Sequence, residues 1–310
     1  MRKSLFGQIC LAFFIVIILS MSGVGFVAYW QSSRALDQEV ERYISQLIEY
    51  ATIQTEQAFY QYELATDSML SENLVKRFLE MDPEDSFRFY EFTRDIRRDV
   101  FEKAFISYPG IHSLMVIGDH GRAILDDNRN LIFYPNFDPI KSLEYLNARI
   151  PADGKIAIFK TEPIHHNEET ITIARRIRGY TSYEPKGVLV MEVRTKPFVS
   201  LWNSTDLGRE AAFFIVDENG NTVFATPGMK SGETDRAQVV EKLLNSRDTS
   251  FVDQTANEEP TLYVSRESDY LGWRMVVSLP LNELRRPVST IRSTVLIVGL
   301  ITLAAALLIA

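Results

Sequence analysis

Hydrophobic positions divide the chain into three textures. From Leu5 to Trp30 they are nearly continuous, and after Arg2 and Lys3 no charged residue occurs until Arg34. A bilayer core of about 30 Å takes roughly 20 helical residues to cross, so this stretch predicts a membrane-spanning helix. The run is longer than a typical signal-peptide core, and no clear A-x-A site follows it, which favours an uncleaved anchor over a cleaved signal. Arg2 and Lys3 predict an N-terminus inside, with Tyr29 and Trp30 at the outer interface. A second charge-free run occupies Ser293 to Ala310. It is expected to be a second membrane helix that stops before its far flank, making the chain the front portion of a longer protein. A short tail anchor is the alternative.

From Phe26 to Asp82 there is neither Gly nor Pro. Leu36, Val40, Tyr43/Ile44, Leu47, Ala51, Ala58, Tyr62, Ala65 and Met69 recur at helical spacing, with charged residues between them. One helix is predicted to leave the membrane and run to about Leu79, some 80 Å at 1.5 Å per residue. Its apolar stripe either packs on the folded body or forms a dimer seam. "MDPED" at 81–85 ends it at Pro83, and a second helix is expected over Ser86–Ser107.

The period then changes from helical to alternating. Residues 111–127 predict two strands around a turn at Asp119-His120-Gly121. Residues 136–150 predict a short helix, with Asp138 as N-cap and Pro139 at the first position. Strands follow at 155–160, 170–177 and 187–193, then a helix from Lys196. The order returns over 211–280: a hairpin across Glu218-Asn219-Gly220, a helix near 234–245, and strands at 249–253, 261–267 and 272–280. Two such units predict an α+β fold with two antiparallel sheets and helices packed on them.

Composition narrows the chemistry. The chain has 310 residues, a net charge of −8 and one cysteine, Cys10, inside the first apolar run. No basic segment suits nucleic acid, and no disulfide framework or cysteine metal site is available outside the membrane. Hydrolase, zinc-protease and phosphate-loop motifs are absent. His165-His166 beside Glu168 and Glu169 reads as a polar turn, since adjacent residues of an extended strand face opposite ways. "DDNRN" at 126–130 and "DENGN" at 217–221 both fail as calcium loops, having Leu131 and Thr222 where the turn needs Gly. No metal or other cofactor is expected.

"FFIVDENGNTVFAT" (213–226), "ITIARRIRGYTSYEPKGVLVMEV" (171–193) and "LGWRMVVSLPLNEL" (271–284), in the order membrane helix, long helix, two sheet modules, membrane helix, resemble the double Cache (dCache) extracytoplasmic sensor domain. The mixture looks most like YesM-type sensor histidine kinases of Gram-positive bacteria. The resemblance implies two PAS-like modules, a small-molecule ligand or binding protein held outside the cell by the distal module, homodimerisation, and a response regulator reached through a cytoplasmic kinase. Expected boundaries are 1–30 for the N-terminus and first span, 31–205 for the long helix and membrane-distal module, 206–285 for the membrane-proximal module, and 286–310 for the helix entering the second span. The fragment itself is then a multi-pass cell-membrane signalling portion and not an enzyme. A chemotaxis receptor, a diguanylate cyclase or a non-signalling surface protein are the alternatives.

For the ligand, Arg175 and Arg176 lie next to each other on one strand, so one faces the pocket side and the other away. Arg175 is chosen as the inward one, with Asp126, Tyr134, Tyr145 and Phe159 as further pocket candidates. An internal salt bridge from Arg175 to Asp126 or Glu192 is the competing role, and core packing is the competing role for the aromatics. The family's amino-acid constellation includes a Trp, and none occurs in 31–201.

Overall fold

The computed structural model describes residues 5–127, 137–151, 153–161, 169–203, 211–226, 239–243, 249–253 and 260–281. Helix α1 (Leu5–Ser71) is the spine, 67 residues long. It ends earlier than expected. Glu72 is extended, and a new short helix, α2 (Asn73–Phe78), turns Val75 and Phe78 into the core. The second expected helix is present as α3 (Ser86–Ile96), a π-helical turn at Arg97–Phe101, and α4 (Glu102–Ser107). Asp85 starts it by accepting the Arg88 backbone N–H at 3.0 Å.

Two five-stranded antiparallel sheets follow. The first contains β1 (Ile111–Gly118), β2 (Ala123–Asp127), β3 (Ala157–Lys160), β4 (Thr170–Arg178) and β5 (Pro185–Arg194). The second contains β6 (Ala212–Val216), β7 (Thr222–Ala225), β8 (Ser250–Asp253), β9 (Thr261–Ser268) and β10 (Trp273–Pro280). Their spatial orders are β2-β1-β5-β4-β3 and β7-β6-β10-β9-β8, the same path walked twice. Helix α5 (Pro139–Asn147) covers the first sheet, and residues 239–243 are helical over the second. Asp138 caps α5 by accepting the Ile140 and Lys141 backbone N–H groups, with Pro139 at its start.

Each sheet has two apolar faces. One faces α1: Ile44, Ile48, Phe59, Ala65 and Met69 join residues of both sheets in one continuous core. The buried members of the apolar stripe of α1 therefore pack on the chain's own modules. Helix α6 (Lys196–Asn203) wedges between the modules, its Phe198 stacked on Phe59 at 4.7 Å while Phe59 meets Trp273 edge-on at 5.3 Å. The opposite faces carry separate cores. Ile117, Leu146, Ile150, Ala174, Val188 and Val190 form that of the first sheet, and Phe214, Tyr263 and Val276 belong to that of the second.

Among the described residues, no helix is long and apolar enough to cross a membrane. Most side chains between 5 and 22 are outside that set, as are residues 282–310. The helical backbone at Leu5–Trp30 belongs to α1.

Candidate functional site

Strand alternation assigns every side chain of the first sheet to the α1 side or the outer side. On β4, Ile171, Ile173 and Ile177 point to α1, so Thr172, Ala174 and Arg176 point outward. Strand register then lines the outward residues up in rows. Asp127 of β2 stands opposite Ser113 of β1, and Ser113 opposite Glu192 of β5. Glu192 stands opposite Thr172 of β4, and Thr172 opposite Phe159 of β3. Four polar side chains thus cross the sheet in a single line that ends on an aromatic ring.

The row is sheltered. Asp127, Ser113 and Thr172 are 5%, 4% and 3% exposed, and Glu192 is half-buried. Ser113 Oγ donates to Glu192 Oε2 at 2.6 Å, and the Thr172 and Thr161 hydroxyls share a hydrogen bond of 2.7 Å. The neighbouring row is apolar throughout: Leu125, Met115, Val190, Ala174 and Ala157. Over this floor lie Leu143, Tyr145 and Leu146 of α5, with Tyr145 edge-on to Phe159 at 6.4 Å. One row further along, Arg176 donates to the Asn147 carbonyl at 3.1 Å and so binds the last turn of α5, whose end carbonyls favour a cation.

Chemically, this is a floor with two acidic groups and hydroxyls at one edge and hydrocarbon in the middle. Ionised carboxylates only accept hydrogen bonds, so the polar edge suits ammonium or hydroxyl donors, and the middle suits an aliphatic portion.

The second sheet supplies a comparison inside the same molecule. Its equivalent row, through the third-last residue of its last strand, is Ala212, Ser278, Tyr263 and Phe251. There Phe251 stacks on Tyr263 at 5.3 Å, and Ser278 Oγ reaches only the Ala212 carbonyl, at 3.5 Å. Two of its four positions are stacked rings, and Ser278 and Tyr263 are buried there, but the row carries no carboxylate. Burying a charged group costs more than burying a hydroxyl, and only the first module does so.

The five residues expected from sequence separate. Tyr145 and Phe159 lie on the outer face, beside the polar row. Arg175 lies on the α1 face, where its guanidinium pairs with the Asp67 carboxylate of α1 and donates to the Gly154 carbonyl at 2.9 Å. It is an internal ion pair, with Asp67 as partner in place of Asp126 or Glu192. Asp126 also faces inward, 3.9 Å from Arg97; burial pushes its carboxyl above the usual range, and Arg97 opposes that rise. Tyr134 lies outside the described residues, as do His165 and His166. His120 sits at the β1–β2 turn with Nε2 3.1 Å from the Phe78 carbonyl, and His112 is buried. Among the described residues no group of three or more His, Cys, Asp and Glu is placed to hold a metal ion.

A concavity of about 260 Å³ lies between α1 and the β9–β10 corner. Three of its four carboxylates are engaged within the chain: Arg266 is 3.6 Å from Glu49, Ser268 donates to Glu56 at 2.7 Å, and Arg274 is 2.7 Å from Glu267.

No protein-family model matches the sequence, and no curated protein is similar enough in sequence to count as a relative. Solved structures do match in fold. The sensory domain of the Campylobacter jejuni chemoreceptor Tlp3 with isoleucine bound is 12% identical over 82% of this chain and 98% of its own, with a TM-score of 0.53. The ligand-binding domain of the Pseudomonas aeruginosa PAO1 amino acid chemoreceptor PctB in complex with L-Arg is 14% identical, covers 83% of this chain and 94% of its own, and has a TM-score of 0.55. The extracellular domain assigned to a histidine kinase, rpHK1S-Z16, is 17% identical over 82% of this chain and 96% of its own, with a TM-score of 0.53. The chain has the long-helix, two-sheet architecture of these sensory domains; at such identities the likeness is one of fold.

Proposed function

We propose that this chain is the ligand-sensing portion of a transmembrane receptor, and that its ligand is a small molecule seated on the outer face of the first sheet. The observation that carries the reading is the Asp127–Ser113–Glu192–Thr172 row beneath α5, set against a counterpart in the second sheet that has no carboxylate. The ligand class is one with ammonium or hydroxyl donors at one end and an aliphatic portion at the other. The fold neighbours, two of them described with bound amino acids, support a sensory role for this architecture.

The chain is taken to sit in the cell membrane, its sheets outside, tethered by the apolar runs Leu5–Trp30 and Ser293–Ala310. Occupancy of the first sheet would shift α1, which touches both modules, and so bias a two-state receptor. A histidine kinase acting through a response regulator is the preferred output, on the resemblance of the mixture of 171–193, 213–226 and 271–284 to YesM-type kinases. A chemoreceptor is the alternative, supported by the chemoreceptor neighbours.

A thermal-shift screen of the whole chain against amines, amino acids and polyols tests the ligand claim. A true ligand raises the melting temperature with concentration. A panel without any concentration-dependent rise would refute it. Sequencing past Ala310 separates the outputs: a phosphoacceptor-His helix with an ATP-binding domain, or a long heptad-repeat hairpin.

A further inference from the structure

The two sheets grip α1 at equivalent points. Thr172 and Tyr263 mark the equivalence, since each stands opposite the third-last residue of its sheet's central strand, Glu192 or Ser278. Three residues further on, β4 carries Arg175 and β9 carries Arg266. Both point to α1, being in phase with Ile173 and Ile177 on β4 and with Leu262 and Val264 on β9. Their partners across the strand pair, Leu189 and Met275, lie in that same core. Each guanidinium meets a carboxylate of α1. Arg175 pairs with Asp67, and Arg266 stands 3.6 Å from Glu49.

Glu49 and Asp67 are eighteen residues apart, with neither Gly nor Pro between them. At 3.6 residues per turn that is about five whole turns, so both carboxylates leave the same side of the helix, roughly 27 Å apart. The repeat between the sheets is thus matched by a repeat along α1.

The two pairs differ in shelter. The Arg175 side chain is 15% exposed, and its guanidinium also donates to the Gly154 carbonyl. The Arg266 and Glu49 side chains are 50% and 51% exposed. An ion pair open to water on both sides is weak and is screened by salt, whereas a sheltered guanidinium is screened less. The other ties of the β9–β10 corner to α1 come from neutral hydroxyls, Ser268 to Glu56 and Tyr270 to Glu63. Both lie nearer the first sheet along α1, so an opening at Glu49 hinges on them.

From this geometry we infer that Arg175 and Arg266 form a two-point latch that sets the position of both sheets along α1, and that the Arg266–Glu49 half is the one that opens. Its release frees the second sheet from the N-terminal part of α1 while Arg175 keeps the first sheet in place. The chain then has two states of α1 contact, and ionic strength shifts the balance between them. The latch uses neither the polar row nor a ligand, so its failure would leave the proposed binding site untouched.

The test uses the whole chain in bilayer nanodiscs, with Cys10→Ser to remove the native thiol, and reads how fast a buried cysteine is labelled. Thr52→Cys reports on the second sheet, since Thr52 is 3% exposed and its Oγ1 lies 3.3 Å from Met275 Sδ. Thr66→Cys, at a position 1% exposed beside Arg175, reports on the first. Tyr183→Cys, at a position 88% exposed, corrects for the effect of salt on the labelling chemistry. Raising NaCl from about 0.05 M to about 0.5 M should speed labelling at Thr52→Cys roughly twofold to fivefold, the range of an exposed pair, and change Thr66→Cys less. Arg266→Gln should give the fast Thr52→Cys rate already at low salt, and the reversed pair Glu49→Arg with Arg266→Glu should restore the slow one. Arg175→Gln should speed Thr66→Cys and leave Thr52→Cys slow. Equal salt responses at the two reporters would overturn the asymmetry. An unchanged rate in Arg266→Gln, or a fast rate in the reversed pair, would overturn the latch.

Discussion

The Phe59 ring lies flat on Phe198, with centroids 4.7 Å apart and planes within 9°. Phe59 belongs to α1, Phe198 to the helix between the two sheets, and the far edge of Phe59 meets Trp273 of the second sheet. One fully buried ring thus ties the spine to the connector and to the second module. Phe59→Ala should cost about 3–5 kcal/mol, the usual range for emptying such a site. Denaturant unfolding checks this. A loss no larger than that of an exposed α1 residue would show that the junction is not packed in this way.

Arg175 and Asp67 should couple in a double-mutant cycle. Arg175 is mostly buried and Asp67 is half exposed, so solvent weakens the pair and the coupling should be on the order of 1 kcal/mol. Additive single-variant effects would show that the pair does not fasten the first sheet to α1.

Glu80 sets a pH dependence in the loop after β4. Its carboxylate accepts the Thr181 backbone N–H at 2.8 Å, the Thr181 hydroxyl at 3.0 Å and the Ser182 N–H at 3.1 Å. These bonds, that from the Thr181 backbone first, hold its pKa below the ordinary 4.5. The charged form is favoured in the folded state, so the contribution to stability is present above that value and fades as pH falls through the depressed one. Protection of the 179–182 amides, taken relative to their intrinsic exchange rates, should therefore fall in acid before the sheets open. Gly179 is needed beside it, because a Cβ there would lie 2.2 Å from Glu80 Oε1. Gly179→Ala should produce the same loss of protection at neutral pH, and protection of these amides that does not change with pH in the native chain would remove the role assigned to Glu80.

The order of elements was legible because local signals agreed with one another. Asp138-Pro139 announced α5, and Glu218-Asn219-Gly220 announced a hairpin in which Gly220 has φ +83° and Asp217 accepts the Asn219 and Asn221 N–H groups. The break of α1 at Glu72 was not legible, since nothing there forbids a helix and only burial of Val75 and Phe78 selects the turn. Of the residues expected from sequence, Tyr145 and Phe159 lie on the outer face beside the polar row, and Arg175 lies on the α1 face, paired with Asp67. The Ile171, Ile173 and Ile177 phase could have assigned it to the α1 side once that side was known. Asp127, Ser113, Glu192 and Thr172 come from four strands, and only register brings them into line. Register between distant strands is set by tertiary packing, which a single sequence does not display.

The central claim is that the polar row of the first sheet holds the ligand. Titration calorimetry with the strongest hit of the amine and polyol panel tests it most directly, on the native chain, Glu192→Gln and Arg175→Ala. Removing the Glu192 charge should weaken binding about tenfold or more, a change of about 1.4 kcal/mol, while Arg175→Ala should leave affinity unchanged. Unchanged affinity in Glu192→Gln, with binding lost in Arg175→Ala, would place the ligand on the α1 face and contradict the account.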